Sequence, residues 1–199
     1  MNLFKKKPKI LITNDDGIDA AGLWLLAEAA TRYGDVTIVA PSEEQSAMSH
    51  GITTRRNLEI RDYQSPNRKI RAYHVSGKPA DCVIVAHERL GLKFDYVFSG
   101  INHGTNLGVD INYSGTVGAA SEAILFGVPA AAFSSALGDD EVTRNELAGV
   151  LDLLFRRQLW QKETVLNVNF PRSRNGEAEG VRMTRQALSL ERPFAEGTD

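Results

Sequence analysis

The chain of 199 residues contains a single cysteine, Cys82, and therefore cannot close an intramolecular disulfide. A protein without disulfides is typical of a reducing compartment. The sequence also lacks an apolar run approaching the roughly 18 residues that a membrane-spanning helix needs. Its N-terminus lacks the apolar core of a signal peptide. These absences predict a cytoplasmic protein that has no membrane partner.

A charge excess and several common ligand motifs are missing as well. The formal net charge of -2 offers no electrostatic basis for binding duplex nucleic acid. No G-x-G-x-x-G follows a predicted strand, no G-x-S-x-G is present, and Pro79 replaces the serine or threonine of a P-loop. The 4 histidines do not have the spacing of a zinc site. The sequence therefore excludes a dinucleotide site, a P-loop, a serine-hydrolase elbow and a histidine-rich zinc site.

What the sequence does contain is an alternation of short apolar runs and segments with helical spacing. The apolar runs predict buried strands at 9–13, 36–40, 96–99, 130–133 and 165–168. The helical spacing predicts helices at 20–33, 78–90, 114–126 and 141–157. The segments 58–61 and 70–75 predict an antiparallel excursion, and 181–185 is a candidate for one more strand. This alternation predicts an α/β fold with a mostly parallel sheet and helices on both faces.

Polar residues follow three of the predicted strands. Asn14, Asp15 and Asp16 come after the first strand, Ser46 lies in the loop after the second, and Asn102 follows a later one. Because the carboxyl ends of parallel strands share one edge of the sheet, these residues should lie together. Adjacent carboxylates repel each other, which favours a hard divalent cation between them. The alternative is that one aspartate caps the following helix and the other is solvated.

The sequence Ser114-Gly115-Thr116 opens a predicted helix. The unpaired backbone N–H groups and the positive end of a helix favour an anion such as phosphate, and the hydroxyl groups can add donors. The alternative is an ordinary serine N-cap with a glycine for close packing. His50 and His103 fall near the same predicted edge and are further candidates for contact with a substrate.

These motifs resemble, in order and spacing, those of the survival protein E (SurE) family of 5′/3′-nucleotidases. They are Ile10-Leu11-Ile12-Thr13-Asn14-Asp15-Asp16-Gly17, Val39-Ala40-Pro41 with Ser46, Gly77 with Pro79-Ala80-Asp81-Cys82-Val83, Ser99-Gly100-Ile101-Asn102, Tyr113-Ser114-Gly115-Thr116-Val117, Asn167-Val168-Asn169-Phe170-Pro171 and Thr184-Arg185-Gln186. The resemblance implies a SurE-like metallophosphatase domain over 1–186 with a Rossmann-like fold, followed by a shortened C-terminal tail over 187–199.

The resemblance also implies an activity and a set of site residues. The family hydrolyses nucleoside 5′- and 3′-monophosphates, and some members cleave short polyphosphate. One divalent metal, Mg²⁺ or Mn²⁺, is expected in each chain. Matched by position, the metal ligands are Asp15, Asp16, Ser46 and Asn102. The expected substrate contacts are Asn14, Asn106, Ser114, Gly115 and Thr116. The two aspartates are also the candidates for accepting the proton of the attacking water.

Two departures from the family pattern affect these expectations. Lys78 stands where the family usually has threonine, and we expect it to face solvent rather than to pair with phosphate. The C-terminal region that locks family members into homodimers or tetramers is reduced to 187–199, which puts that assembly in question. A nucleotide-binding regulator with little turnover, or a structural partner protein, is therefore an alternative function. A phosphatase of the haloacid dehalogenase type would need D-x-D after the first strand, which this sequence lacks.

Overall fold

The computed structural model describes residues 7–138, 140–173 and 175–187, so nearly all of the expected tail lies outside the described residues. Within these residues one sheet is formed by β1 Lys9–Thr13, β2 Asp35–Pro41, β3 Ile60–Tyr63, β4 Arg71–Val75, β5 Tyr96–His103, β6 Ala130–Ser135 and β7 Leu166–Phe170. The β3–β4 pair is antiparallel, and the other pairings are parallel. The predicted α/β class and the antiparallel excursion are confirmed.

Helices cover both faces of this sheet. They are α1 Ala21–Ala30, α2 Pro79–Ile84, α3 Gly115–Leu125 and α4 Glu141–Arg156. Side chains alternate across a strand, so neighbouring residues of β1 enter different cores. Ile10 and Ile12 pack with α1 and α4, whereas Leu11 packs with α2 and α3. Burial on both faces explains why β1 is a continuous apolar run.

The order of the strands, β3-β4-β2-β1-β5-β6-β7, determines where a ligand can bind. From β1 the chain moves to one side through β2 and β4, and it then returns to place β5 on the other side of β1. The connections that leave β1 and β5 therefore diverge. A crevice opens between the carboxyl ends of these two strands, which is the usual ligand site of an open parallel sheet.

Several elements differ from the sequence-based prediction. The helix expected at 78–90 is α2 followed by a single π-helical turn, Val85–Arg89. A short 3-10 helix, Gly108–Asn112, precedes α3 and was not predicted. The strand proposed at 181–185 is wrong, because this segment pairs with none of the described strands and its apolar residues Val181 and Met183 are exposed. Among the described residues, no helix combines the length and the hydropathy needed to cross a membrane.

The packing of α1 on β5 gives a testable prediction for stability. A β-carbon on Gly22 would collide with the backbone carbonyl of Ile101. We expect Gly22→Ala to destabilise the fold by about 1–3 kcal/mol, because overpacking outweighs the better helix propensity of alanine. Gly149 of α4 is the matched control, since an added β-carbon there meets no atom within 4 Å.

Gly149→Ala should therefore stabilise the protein by about 0.5–1 kcal/mol. Urea denaturation of the two variants measures both effects. Equal changes in the free energy of unfolding would contradict the close approach of α1 to β5.

Candidate functional site

Asp15 is the more deeply buried of the two aspartates that follow β1, with 5% of its surface exposed. Its Oδ1 accepts a hydrogen bond from the hydroxyl group of Thr116 at 2.5 Å. Gly115 permits this approach, because an added β-carbon there would lie 2.9 Å from the Asp15 Cβ. The end of β1 and the first turn of α3 are therefore in direct contact.

Asp16 contacts β5 instead. Its Oδ2 accepts a hydrogen bond from the backbone N–H of His103 at 3.2 Å. Together with Asn102, Asp16 also lines a pocket beneath the starts of α1 and α4. The two neighbouring carboxylates thus reach opposite sides of the crevice. Neither aspartate caps α1, whose N-cap is Ala20 without a side-chain bond, so the capping alternative is wrong.

Both carboxylates resist ionisation in this environment. Burial raises the pKa of Asp15 to about 6, against the lowering effect of the Thr116 hydrogen bond, and the charge of Asp16 raises it further. Burial also raises the pKa of Asp16, where the N–H of His103 lowers it and the charge of Glu44 raises it. Adjacent carboxylates of this kind favour a cation, because a bound cation would neutralise their repulsion.

Asn14 adds a buried polar group next to the acidic pair. The residue is fully buried, and its Nδ2 donates to the carbonyl of Gly17 at 2.9 Å. Its Oδ1 has no hydrogen-bond partner among the described residues. No group of three or more His, Cys, Asp or Glu side chains suited to a metal occurs in this described part. A cation at this edge would therefore need amide and hydroxyl oxygens in addition to the two carboxylates.

Asn102 and Ser46, the other two predicted metal ligands, reach the same edge with different contacts. The Nδ2 of Asn102 donates to the carbonyl of Gly104 at 2.6 Å, which leaves Oδ1 as the atom that could bind a cation. The loop that carries Ser46 is held by a backbone hydrogen bond to the carbonyl of Asp15. The Ser46 hydroxyl itself is exposed and donates to Glu44 Oε1 at 2.5 Å. The backbone of this loop therefore contacts Asp15, whereas the Ser46 hydroxyl is hydrogen-bonded to Glu44 of the same loop.

The helix α3 begins at this edge. Ser114 is its N-cap, and the Ser114 Oγ accepts a hydrogen bond from the N–H of Val117 at 3.1 Å. The N-cap alternative is thus correct for this side chain, and it leaves the other N–H groups of the first turn without helical partners. The Thr116 side chain is fully buried and bonded to Asp15. The backbone N–H groups of Gly115 and Thr116 are consequently the groups that could bind an anion, and the N–H of Thr116 also faces the Asp15 carboxylate, whose pKa it lowers.

Asn106, a predicted substrate contact, is fixed by a network that was not predicted. Its backbone N–H donates to the Asn169 Oδ1 at 2.8 Å, and its carbonyl accepts from the Nδ2 atoms of Asn169 and Asn167. Its own Nδ2 donates to the Ser134 Oγ at 2.8 Å. Asn167 and Asn169 share one face of β7 because they are two residues apart in a strand. This spacing is visible in the sequence, but the contact with Asn106 requires the fold.

Three further residues singled out by the sequence, His50, His103 and Lys78, lie around the edge of the crevice. The Nε2 of His50 is 2.7 Å from Glu122 Oε2, which ties the loop after β2 to α3. His103 is exposed where it borders the pocket. Lys78 is half-buried, and its Nζ lies so close to Gly51 that an added β-carbon there would be 3.0 Å away. The expectation that Lys78 faces solvent holds only in part, because the loop around Gly51 covers some of its side chain.

The raised pKa of Asp15 predicts how the metal-free fold responds to pH. A folded-state pKa of about 6 in place of 3.8 means that stability is highest when Asp15 is protonated and falls as the pH rises from 3.8 through 6. The loss should reach on the order of 2–3 kcal/mol. Asp15→Asn removes this loss while keeping an acceptor for Thr116. In EDTA, this variant should be more stable than the unmodified protein near pH 8, and the difference should vanish near pH 4.

Urea denaturation across this pH range measures the difference. A stability difference between the two proteins that does not change with pH would contradict the burial of an unneutralised Asp15.

The amino-acid sequence matches a known protein family and several named proteins. The family described as Survival protein SurE matches residues 10–192. A protein named 5′-nucleotidase SurE from Carboxydothermus hydrogenoformans is 45% identical over 186 residues, which cover 89% of this chain and 70% of that protein. A second protein named 5′-nucleotidase SurE, from Christiangramia forsetii, is 42% identical over 189 residues, which cover 92% of this chain and 72% of that protein.

A solved structure agrees with these matches. The crystal structure of the SurE protein from Aquifex aeolicus has a TM-score of 0.76 and 37% sequence identity, and the match covers 90% of this chain and 73% of that one. The family match spans nearly the whole chain and includes β1, β5, α3 and β7, the elements that build the candidate site. The chain therefore belongs to the survival protein SurE family.

Proposed function

We propose that this protein is a metal-dependent 5′-nucleotidase that hydrolyses nucleoside 5′- and 3′-monophosphates to nucleoside and phosphate, and that also cleaves short polyphosphate. The observation that carries the proposal is the contact between Asp15 and the first turn of α3. This contact joins a carboxylate that favours a cation to a helix end that favours phosphate. The names of the relatives support the nucleotidase activity.

The chain offers a suitable set of residues for one Mg²⁺ or Mn²⁺. Asp15, Asp16, Ser46 and Asn102 would hold the cation through oxygen atoms, which such cations prefer. When bound, the cation supplies positive charge that polarises a phosphoryl oxygen and acidifies a water molecule. The raised pKa values of Asp15 and Asp16 support this assignment, because burial of two adjacent carboxylates favours a neutralising cation.

The protein's own groups position the phosphate and accept the proton. The N–H groups of Gly115 and Thr116 at the start of α3 bind phosphoryl oxygens, and these fixed dipoles stabilise the charge that develops in the transition state. Asn106 is held between β6 and β7 at the same edge and adds a further contact to the substrate. The carboxylate of Asp15 or Asp16 accepts the proton of the attacking water.

Removing the charge of Asp16 tests this proposal. We expect Asp16→Asn to lower kcat for the release of phosphate from 5′-AMP and 3′-AMP in Mn²⁺ by at least about 10²–10³, because it removes both a cation ligand and a candidate proton acceptor. Asp62→Asn is the matched control, since Asp62 is exposed on β3 at the far edge of the sheet. Near-full turnover by Asp16→Asn, or turnover of the unmodified protein in EDTA, would contradict the proposal.

The hydrogen bonds from Asn167 and Asn169 that hold the Asn106 backbone, here called the clamp, give a second prediction for activity. Asn169→Ala removes two of the three side-chain hydrogen bonds that hold the backbone of Asn106, and we expect kcat/KM to fall by about tenfold or more. Asn145→Ala is the control, because Asn145 also donates to a backbone carbonyl from a part-buried position but lies outside the site. Both variants should lose about 1–3 kcal/mol of stability.

Assays well below the melting temperature of both variants separate positioning from stability. Equal losses of activity in Asn169→Ala and Asn145→Ala would mean that the clamp has only a structural role.

A further inference from the structure

A pocket of about 260 Å³ lies beside Asp16, on the face of the sheet that α1 and α4 cover. Ile101, Asn102 and His103 at the end of β5 form one side of it, and the starts of α1 and α4 form the others. The pocket therefore adjoins two of the proposed metal ligands without being part of the α3 phosphate site. Neither the nucleotidase assignment nor the site residues above give it a role.

The walls of this pocket are held in place. Gly22 of α1 packs directly on the carbonyl of Ile101, so α1 cannot move closer to β5. At the other side, the hydroxyl of Thr143 in the first turn of α4 donates to Ser135 at the end of β6 at 2.7 Å. The space between α1, β5 and α4 is thus preformed, as is usual for a small-molecule site.

The position of the pocket matches the open side of the acidic pair. On the α3 side, Asp15 packs closely against Gly115 and accepts the hydrogen bond of Thr116, and Pro79 packs against the same glycine. On the other side, Asp16 borders the pocket. A phosphomonoester whose phosphate lies at the start of α3 would reach the pocket by directing its alcohol group past Asp16.

The lining has the chemistry that a nucleoside requires. Ala21, Leu25 and Ile101 present apolar surface suited to the faces of a nucleobase. At the rim, Arg144 Nη2 donates to Asp140 Oδ2 at 2.6 Å, and both side chains are more than half exposed. A guanidinium group can stack on a base or donate to its ring nitrogen and carbonyl atoms, and a carboxylate can accept from its amino group.

We propose that this pocket binds the nucleoside part of the substrate, with the base between its apolar walls and the Arg144–Asp140 pair at the base's polar edge. The inference rests on the proposed nucleotidase function and assigns the side from which the substrate enters. A pocket near the lower end of the usual range of about 300–1,000 Å³ suits a single nucleoside rather than a longer chain.

Two variants with matched controls test the pocket. Ala21→Trp introduces a large side chain at the exposed rim, and Glu28→Trp makes the same change seven residues further along α1, outside the pocket. Arg144→Ala removes the guanidinium group at the rim of the pocket. Its control is Arg156→Ala, which removes the arginine of another ion pair on α4, Arg156–Asp152, that lies outside the pocket. Each protein is assayed in Mn²⁺ with 5′-AMP and with glycerol 2-phosphate, a phosphomonoester without a base.

The readout is the ratio of kcat/KM for 5′-AMP to kcat/KM for glycerol 2-phosphate. This ratio should fall by about tenfold or more in Ala21→Trp and by about fivefold in Arg144→Ala, because only the nucleotide uses the pocket. It should stay unchanged in Glu28→Trp and Arg156→Ala. A ratio that is unchanged in both pocket variants overturns the proposal.

A second readout does not depend on turnover or on the metal. Saturation-transfer NMR with adenosine and EDTA-treated protein should show transfer to the base protons in the unmodified protein and both controls, and a loss of transfer in Ala21→Trp. Equal transfer in these four proteins overturns the pocket assignment. If the unmodified protein hydrolyses neither ester in Mn²⁺, the proposed function fails, while the adenosine experiment still decides the pocket.

Discussion

The hydrogen bond between Thr116 and Asp15 joins the two halves of the candidate site. The central position of β1 brings Asp15 into the protein, where an ionised carboxylate is costly unless it is compensated. The Thr116 hydroxyl offsets part of that cost, and a cation would offset much of the remainder. The same contact holds the start of α3 against the acidic pair. The proposed positions of the metal and the phosphate are therefore coupled and cannot shift independently.

Close packing of the two helices adjoining the crevice gives the site an asymmetric shape. Gly115 brings α3 against Asp15 and Pro79, so this side is closely packed. Gly22 brings α1 against the carbonyl of Ile101, yet a pocket remains between α1 and α4. The adjacent aspartates divide between these two sides. A closely packed side with N–H donors suits a phosphate common to all substrates, and an open side with mixed chemistry suits the variable part of each substrate.

The sequence predicted the features that depend on local pattern, namely the parallel strands, the helices and the convergence of polar loops at one edge. It did not predict features that depend on the partners brought together by folding. The pattern of Asn167 and Asn169 indicates only a shared strand face, and not the contact of both side chains with Asn106. The pattern of Val181 and Met183 resembles a strand, although this segment joins none of the described strands. The surroundings of Lys78 could not be predicted either, because only the fold places Gly51 beside its side chain. The cytoplasmic location and the oligomeric state stay predictions.

Anomalous X-ray diffraction from crystals grown with Mn²⁺ and inorganic phosphate tests most directly whether one edge of the sheet holds both ions. We expect a manganese peak within about 2.3 Å of carboxylate oxygens from both Asp15 and Asp16. The phosphate should accept hydrogen bonds from the N–H groups of Gly115 and Thr116. A manganese ion bound away from both aspartates, or a phosphate that does not contact the start of α3, would contradict the coupling of the two positions.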